Sequence, residues 1–266
     1  MHTSTLADLC AATVQIVTET ADFLRSELGN VQRDDIETKA LNSLVSYVDK
    51  TAETKLVSQL GTLLPQSTFL TEEETVVQGA GEYRWIIDPL DGTTNFLHQL
   101  PIFSVSVALH HRNEPVLAVV YEVNRRECFS AWRGGGTHLN GRPVRVSNST
   151  QLSETLIGTG FPYYDFGEME QYLSVFRQLM PATRGIRRCG SAAVDLAWVA
   201  CGRFDGFFEY SLQPWDMAAG VFLIQEAGGV VSDFLGGDKY LFGNRVVAGN
   251  PAIHQELVKL TKEFFG

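Results

Sequence analysis

Apolar residues near the start of the chain recur at helical spacing. Leu6, Leu9/Cys10, Val14, Val17, Ala21 and Leu24 fall on one stripe, Ser4 or Thr5 can cap its start, and Gly29 can end it, which predicts a helix over 4–28. A second helix is expected from near Val48 to Leu60, closed by Gly61 with Pro65 beyond. The period then drops to two. Arg84–Asp88 reads as a short buried strand, and Ser104–His111 alternates along its length. Pro115–Tyr121 and Arg126–Trp132 continue the strand run, and "GGGTHLNG" is expected to turn the chain before a strand at Val144–Val146.

The second half alternates more regularly between the two periods. Strands are expected at Leu156–Thr159 and Phe204–Phe208. Helices are expected at Glu168–Leu179, Ser191–Cys201 and Met217–Ala227, and a last one opens after Asn250 with Pro251 at its first position. No repeat, low-complexity tract or linker interrupts the pattern. The pattern implies a layered α/β or α+β protein forming a single domain over 1–266. Its two lobes are a β-rich one over about 1–150 and an alternating one over about 151–266.

The acids change this picture. "WIIDPLDGTTNF" carries Asp88 and Asp91 out of a buried strand, fixes the intervening backbone with Pro89 and turns on Gly92. If Gly92-Thr93-Thr94 opens a helix, carboxylates for a cation stand beside free amides for a phosphate. The plainer reading is a type I turn with Asp91 as a helix cap. Glu72-Glu73-Glu74 follows the strand-like "TFL"; a triplet of this kind is commonly a solvated run, but its position invites one member to point inward. Asp216 in "QPWDMAAG" and Asp49 in "YVDKTAE" stand at helix starts, where an ordinary capping role competes with a functional one. Trp85, Trp198 and Trp215 are expected in the core.

Charge and composition narrow the chemistry. The 266 residues carry 31 acids against 21 bases, a net charge of −10, which argues against a nucleic-acid polymer or an anionic membrane as partner. An anionic substrate would then need a bound cation. Four scattered cysteines without a CxxC pair, no span-length apolar run and no secretory pattern at the N-terminus lead to the expectation of a reduced, cytoplasmic protein. On that expectation the sequon at Asn148 is coincidental. The candidate ligands are oxygen donors without an HExxH pair, which selects Mg²⁺, Mn²⁺ or Ca²⁺ over zinc. An EF-hand loop, a P-loop, a GxSxG elbow and a complete GxGxxG are all missing.

"LTEEE" at 70–74, "DPLDGTTNF" at 88–96, "GSAAVDLAWVACGRFDGFFE" at 190–209 and "PWDMAAG" at 214–220 together resemble the inositol monophosphatase family over nearly the whole chain. The resemblance implies a layered αβαβα sandwich, usually dimeric, and an Mg²⁺-dependent, lithium-sensitive phosphomonoesterase. It implies that Glu72, Asp88 and the Leu90 carbonyl hold one Mg²⁺, and that Asp88, Asp91 and Asp216 hold a second. It further implies that Gly92 and Thr93 offer backbone N–H groups to the phosphate, and that the Thr93 hydroxyl stands beside the attacking water. Asp49 would then orient Thr93 and help take the proton, while Glu209 and the turn Gly190-Ser191-Ala192 would meet the hydroxyls of a phosphorylated polyol or sugar. Thr71 stands where that family commonly has glycine, so the choice of Glu72 over Glu73 is one of alignment. Asn95 favours the inositol branch over the bisphosphate-nucleotidase branch. Alternatives are a relative acting on fructose 1,6-bisphosphate, a 3′(2′),5′-bisphosphonucleotide or histidinol phosphate, with Arg184, Arg187 or Arg188 reaching a second phosphate or simply forming surface charge. A non-catalytic metal-binding protein of the same fold is the reading from outside enzymology.

Overall fold

Helix α6 (Pro214–Glu226) explains the architecture, because its residues Met217–Ile224 are buried without a break. A helix that is apolar all round must be covered on both sides, and here two sheets cover it. The computed structural model describes residues 3–40, 43–163 and 166–266. In chain order the first part holds α1 (Thr3–Glu27), β1 (Glu37–Ala40), β2 (Ser43–Val45), α2 (Tyr47–Leu63), β3 (Thr68–Thr71), β4 (Tyr83–Asp91), α3 (Thr93–Leu97), β5 (Ser104–His111), β6 (Glu114–Glu122), β7 (Glu127–Trp132), β8 (Gly136–Leu139) and β9 (Arg142–Val144). The second part holds β10 (Leu156–Thr159), α4 (Met169–Ala182), β11 (Gly185–Arg187), α5 (Ala192–Ala200), β12 (Gly206–Tyr210), α6, β13 (Val230–Ser232), α7 (Tyr240–Gly243), β14 (Arg245–Gly249) and α8 (Pro251–Phe265).

Strands β3 to β9 form one seven-stranded sheet in sequence order, antiparallel except for the parallel pair β3–β4. The second sheet runs β11-β10-β12-β14-β13, with β10 parallel to both neighbours. Alternation along each strand divides side chains between different cores. Trp85, Ile87, Val105, Val107 and Val119 pack with α1 and α2, whereas Ile86, Ala108, Ala118 and Val120 pack with α5 and α6. In the second sheet Phe207, Val246 and Ala248 face α5 and α6, while Ile157, Phe208 and Val247 face α4 and α8. The layers are therefore α1/α2, sheet, α5/α6, sheet, α4/α8: the αβαβα sandwich.

Several boundaries differ from the sequence reading. Helix α2 passes through Gly61 to Leu63, because burial of Leu56 and Leu60 against the first sheet outweighs the roughly 1 kcal/mol that an interior glycine costs. "GGGTHLNG" contains strand β8, paired to β7 from Trp132↔Gly136 to Phe129↔Leu139, and the following strand is Arg142–Val144 rather than 144–146. Helix α4 continues through Pro181 to Ala182 instead of ending at Leu179. Strands β11 and β13 are three residues each, too short to show a period.

Strand β4 delivers the acids. Its pairing with β5 shifts between Asp88↔Ser106 and Asp91↔Ser104, three residues against two. Pro89 has no N–H to give the ladder, so the irregularity falls there. In a regular strand residues three apart face opposite sides. The extra residue instead brings both carboxyls to the same cleft.

Candidate active site

A cleft of about 360 Å³ opens where β4, α3, β10, β12 and the N-termini of α5 and α6 meet. Glu72, Asp88, Leu90, Asp91, Gly92, Thr93, Gly190, Ser191, Ala192, Glu209 and Asp216 all line it. Asp49 stands behind that lining and touches it through Thr93, whose hydroxyl lies 3.0 Å from Asp49 Oδ1 and 3.0 Å from the Leu90 carbonyl. One hydroxyl proton serves one acceptor at a time, so Thr93 is poised between two proton-accepting groups.

Asp49 and Asp216 are each the third residue of a helix in a capping box, not the cap itself. Ser46 donates to Asp49 Oδ2 from its N–H and its hydroxyl, both at 2.8 Å. Gln213 N–H donates to Asp216 Oδ2 at 2.7 Å. Capping and site-facing roles thus coexist in one carboxyl: Asp49 caps with Oδ2 and meets Thr93 with Oδ1. Burial raises the Asp49 carboxyl above the usual range, against the Ser46 and Thr93 hydrogen bonds that lower it.

Asp88 accepts the Leu90 N–H at 2.9 Å. Its carboxyl is pushed well above the ordinary range by burial, then by the charges of Glu72, Asp91 and Asp216. Asp91 Oδ2 accepts the Ser191 hydroxyl at 2.5 Å and the Ala193 N–H at 2.8 Å, at the start of α5. Burial carries Asp91 up to about 6 although those hydrogen bonds hold it down. Ser191 is thereby engaged with Asp91 and with capping α5 at Val194 N. Of the acid triplet, Glu72 and Glu73 are half-buried and Glu74 is exposed; Glu72 is the member on the cleft.

Gly92 caps α3 with φ +95°, and a Cβ there would stand 3.1 Å from the Gly190 carbonyl and 3.2 Å from that of Ile102. Left-handed backbone and close approach both call for glycine. Asn95 donates to the Ile102 and Cys189 carbonyls at 2.7 and 2.9 Å, stitching this turn to the one that carries Gly190. A charged carboxylate could not supply those two donors.

On the opposite wall the sequence reading named Glu209, the Gly190-Ser191-Ala192 turn and Arg188 but missed Gly160 and Asp195. Glu209 on β12 is raised well above its ordinary value by burial and by Asp195. Asp195, in the first turn of α5, is 1% exposed, its Oδ1 has no hydrogen-bond partner, and burial pushes its carboxyl well up. Gly160 makes room for Glu209: a Cβ would fall 1.8 Å from Glu209 Oε1. Of the three arginines singled out, Arg188 lines the cleft; its Nη2 donates to the Tyr163 hydroxyl at 2.9 Å and its guanidinium lies over the Phe161 and Tyr163 rings. Arg187 is exposed and bonds its neighbour's carbonyl. Trp85 is fully buried in the core, whereas Trp215 packs on the core and also lines the cleft. Asp195 lay inside a quoted motif as a polar residue on an otherwise apolar helix, which was the available signal.

The donor set suits a hard divalent cation, since it is all oxygen and its carboxyls are raised by burial and then by one another's charge. Among the described residues no three acid, histidine or cysteine side chains are gathered closely enough to hold a metal ion as they stand. Asp88, Asp91 and Asp216 each accept a nearby backbone N–H. Among the described residues no helix is long and apolar enough to cross a membrane.

The sequence pattern of the inositol monophosphatase family matches residues 5–264. Among similar proteins, the inositol-1-monophosphatase of Mesorhizobium japonicum is 43% identical over 251 residues, covering 94% of each chain. Nus factor SuhB of Pseudomonas aeruginosa is 45% identical over 228 residues, covering 84% of each. The crystal structure of extragenic suppressor protein suhB from Bartonella henselae superposes with a TM-score of 0.91 at 39% identity, over 95% of this chain and 98% of that one. The layered fold, the cleft at the end of β4 and a match that spans nearly every residue lead to one conclusion: this chain belongs to the inositol monophosphatase family.

Proposed function

We propose that the protein is a Mg²⁺-dependent phosphomonoesterase that hydrolyses inositol monophosphate or a similar polyol or sugar phosphate by direct attack of water. The observation that carries the reading is the Thr93 hydroxyl, held by Asp49 and the Leu90 carbonyl at the edge of a cleft that six further acids line. Glu72, Asp88 and the Leu90 carbonyl would hold one Mg²⁺, and Asp88, Asp91 and Asp216 a second, with Mn²⁺ as a substitute and lithium as an inhibitor. Bound there, the metal would neutralise the acids, attract a phosphate dianion and acidify a water.

The chain's own groups supply the rest. The Gly92 and Thr93 N–H groups orient the phosphoryl oxygens. Thr93 positions the attacking water and passes its proton towards Asp49, whose carboxyl burial raises above its usual range and so makes a better proton acceptor. Glu209 and the Gly190-Ser191-Ala192 turn receive the hydroxyls of the leaving alcohol. No covalent intermediate is needed. A homodimer in the cytoplasm, without a nucleic-acid polymer or membrane as partner, completes this reading.

A second reading is favoured by the relatives that carry the name Nus factor, at 45% identity: the fold serves a protein partner, with or without turnover. The test is phosphate release from inositol 1-phosphate, fructose 1,6-bisphosphate, a 3′,5′-bisphosphonucleotide and histidinol phosphate. Each is assayed with Mg²⁺ and with chelator, for wild type and Asp91→Asn. Mg²⁺-dependent release lost at least about 1000-fold in Asp91→Asn is expected, a change of about 4 kcal/mol in the barrier. No release from any ester by folded wild type would sink the phosphatase reading in favour of the second.

A further inference from the structure

The loop that carries Glu72 is gripped from behind by a carboxyl outside the cleft lining. Glu53 lies on α2 and is fully buried. Its Oε1 accepts the Thr71 hydroxyl at 2.9 Å, the Thr75 N–H at 2.7 Å and the Thr75 hydroxyl at 2.7 Å, and its Oε2 accepts the Glu73 N–H at 2.7 Å. These donors bracket Glu72 on both sides. Gln78 closes the same loop, accepting the Thr71 N–H at 2.9 Å and donating to the Thr71 hydroxyl at 3.1 Å. Thr71, the departure from the family's usual glycine, is thus the post to which Glu53 and Gln78 both tie.

Glu53 also stands four residues after Asp49, and residues so spaced share a helix face. One end of that face holds Thr93 and the other holds the Glu72 loop. Both are fixed to a single helix started by the Ser46 capping box. A metal ligand on a loop of four acidic or hydroxylic residues would otherwise have to be ordered at the moment of binding, at an entropic cost.

We propose that Glu53 is a positioning residue that pre-orders Glu72 for a divalent cation, so that α2 sets the placement of that ligand relative to the Thr93 hydroxyl. The inference rests on the reading of Glu72 as a metal ligand. Its geometry is that of an outer-shell partner, and loss of such partners typically weakens metal binding about 10- to 100-fold.

The test titrates Mg²⁺ alone into wild type, Glu53→Gln and Thr71→Val, read by tryptophan fluorescence, since Trp215 lines the cleft, and by the rise in Tm. Glu53→Gln is expected to raise the Mg²⁺ midpoint about 10-fold or more. At saturating Mg²⁺ it should keep the ester KM within about twofold, a split that a generally loosened fold would not give. Thr71→Val, which removes one of the four donors, should raise the midpoint by a smaller factor and carries the test if Glu53→Gln does not fold. Midpoints equal to wild type, with or without a fall in metal-free Tm, overturn the positioning role while leaving the metal site standing. A wild type that gives no Mg²⁺ response overturns this inference together with the phosphatase reading.

Discussion

On the wall of the cleft built by the first sheet, Asp49, Asp88 and Asp91 are each tied to backbone N–H or hydroxyl groups within 3.0 Å. The opposite wall, built by α5 and β12, treats its acids differently: Asp195 keeps an oxygen without a partner, and Glu209 is packed against the bare Cα of Gly160. Hydrogen-bonded acids are held in register to act on charge. Acids desolvated without full pairing are costly in isolation and are repaid when a donor arrives. On the proposed function, the first wall would take the cation and phosphate and the second the hydroxyls of the alcohol.

The sharpest way to break that division is Asp88→Asn. Asp88 is raised by burial and by the charges of Glu72, Asp91 and Asp216, and its loss should cut kcat/KM about 1000-fold for every ester alike, some 4 kcal/mol. Steady-state kinetics on an inositol phosphate and on an aryl phosphate check this; a loss confined to one of them would contradict the assignment. Gly160→Ala probes the other wall. The new Cβ must displace the Glu209 carboxylate, so KM for polyol esters should rise about tenfold, within the 1–3 kcal/mol typical of one mispositioned polar contact. The aryl ester and the Mg²⁺ midpoint should stay unchanged, and an equal effect on both esters would count against it.

The smallest effect concerns stability and pH. Asp91, raised to about 6 in the fold, binds more protons folded than unfolded between that value and the ordinary carboxylate pKa near 4. Its contribution is therefore favourable below about pH 4 and is lost as pH rises through about 6. Metal-free Asp91→Asn should gain on wild type by a few degrees in Tm across that window, on the order of 2 kcal/mol. Scanning calorimetry from pH 4 to 7 checks it, and a difference flat with pH would show that Asp91 is not desolvated.

The two walls also differ in how readily they were read from sequence. The first is local: Asp88, Asp91, Gly92 and Thr93 fall within six residues, and strand burial, proline and glycine announce their geometry. The layered fold followed from the change of period along the chain. The second wall draws on the 190–209 motif for Asp195 and Glu209, but Thr159, Gly160 and Arg188 reach it from outside that stretch, so no single motif contains it whole. Glu53 carries no signal of its own in the sequence, because its partners lie 18 to 22 residues away. Strand β8 was hidden in a glycine-rich run, since its partner β7 rather than its own composition keeps it extended.

The middle layer of the sandwich has a mechanical consequence. Helices α5 and α6 pack on both sheets, and their N-terminal turns supply Ser191, Ala192 and Asp216 to the cleft. Neither sheet can swing away from the other without tearing a core that both share. The width of the cleft is consequently a fixed calliper setting rather than a jaw that closes on its cargo, and on the proposed function it would set the distance between phosphate and alcohol. Such a protein would sort its substrates by what fits the gap, and change its preference over evolutionary time through the side chains that face across it.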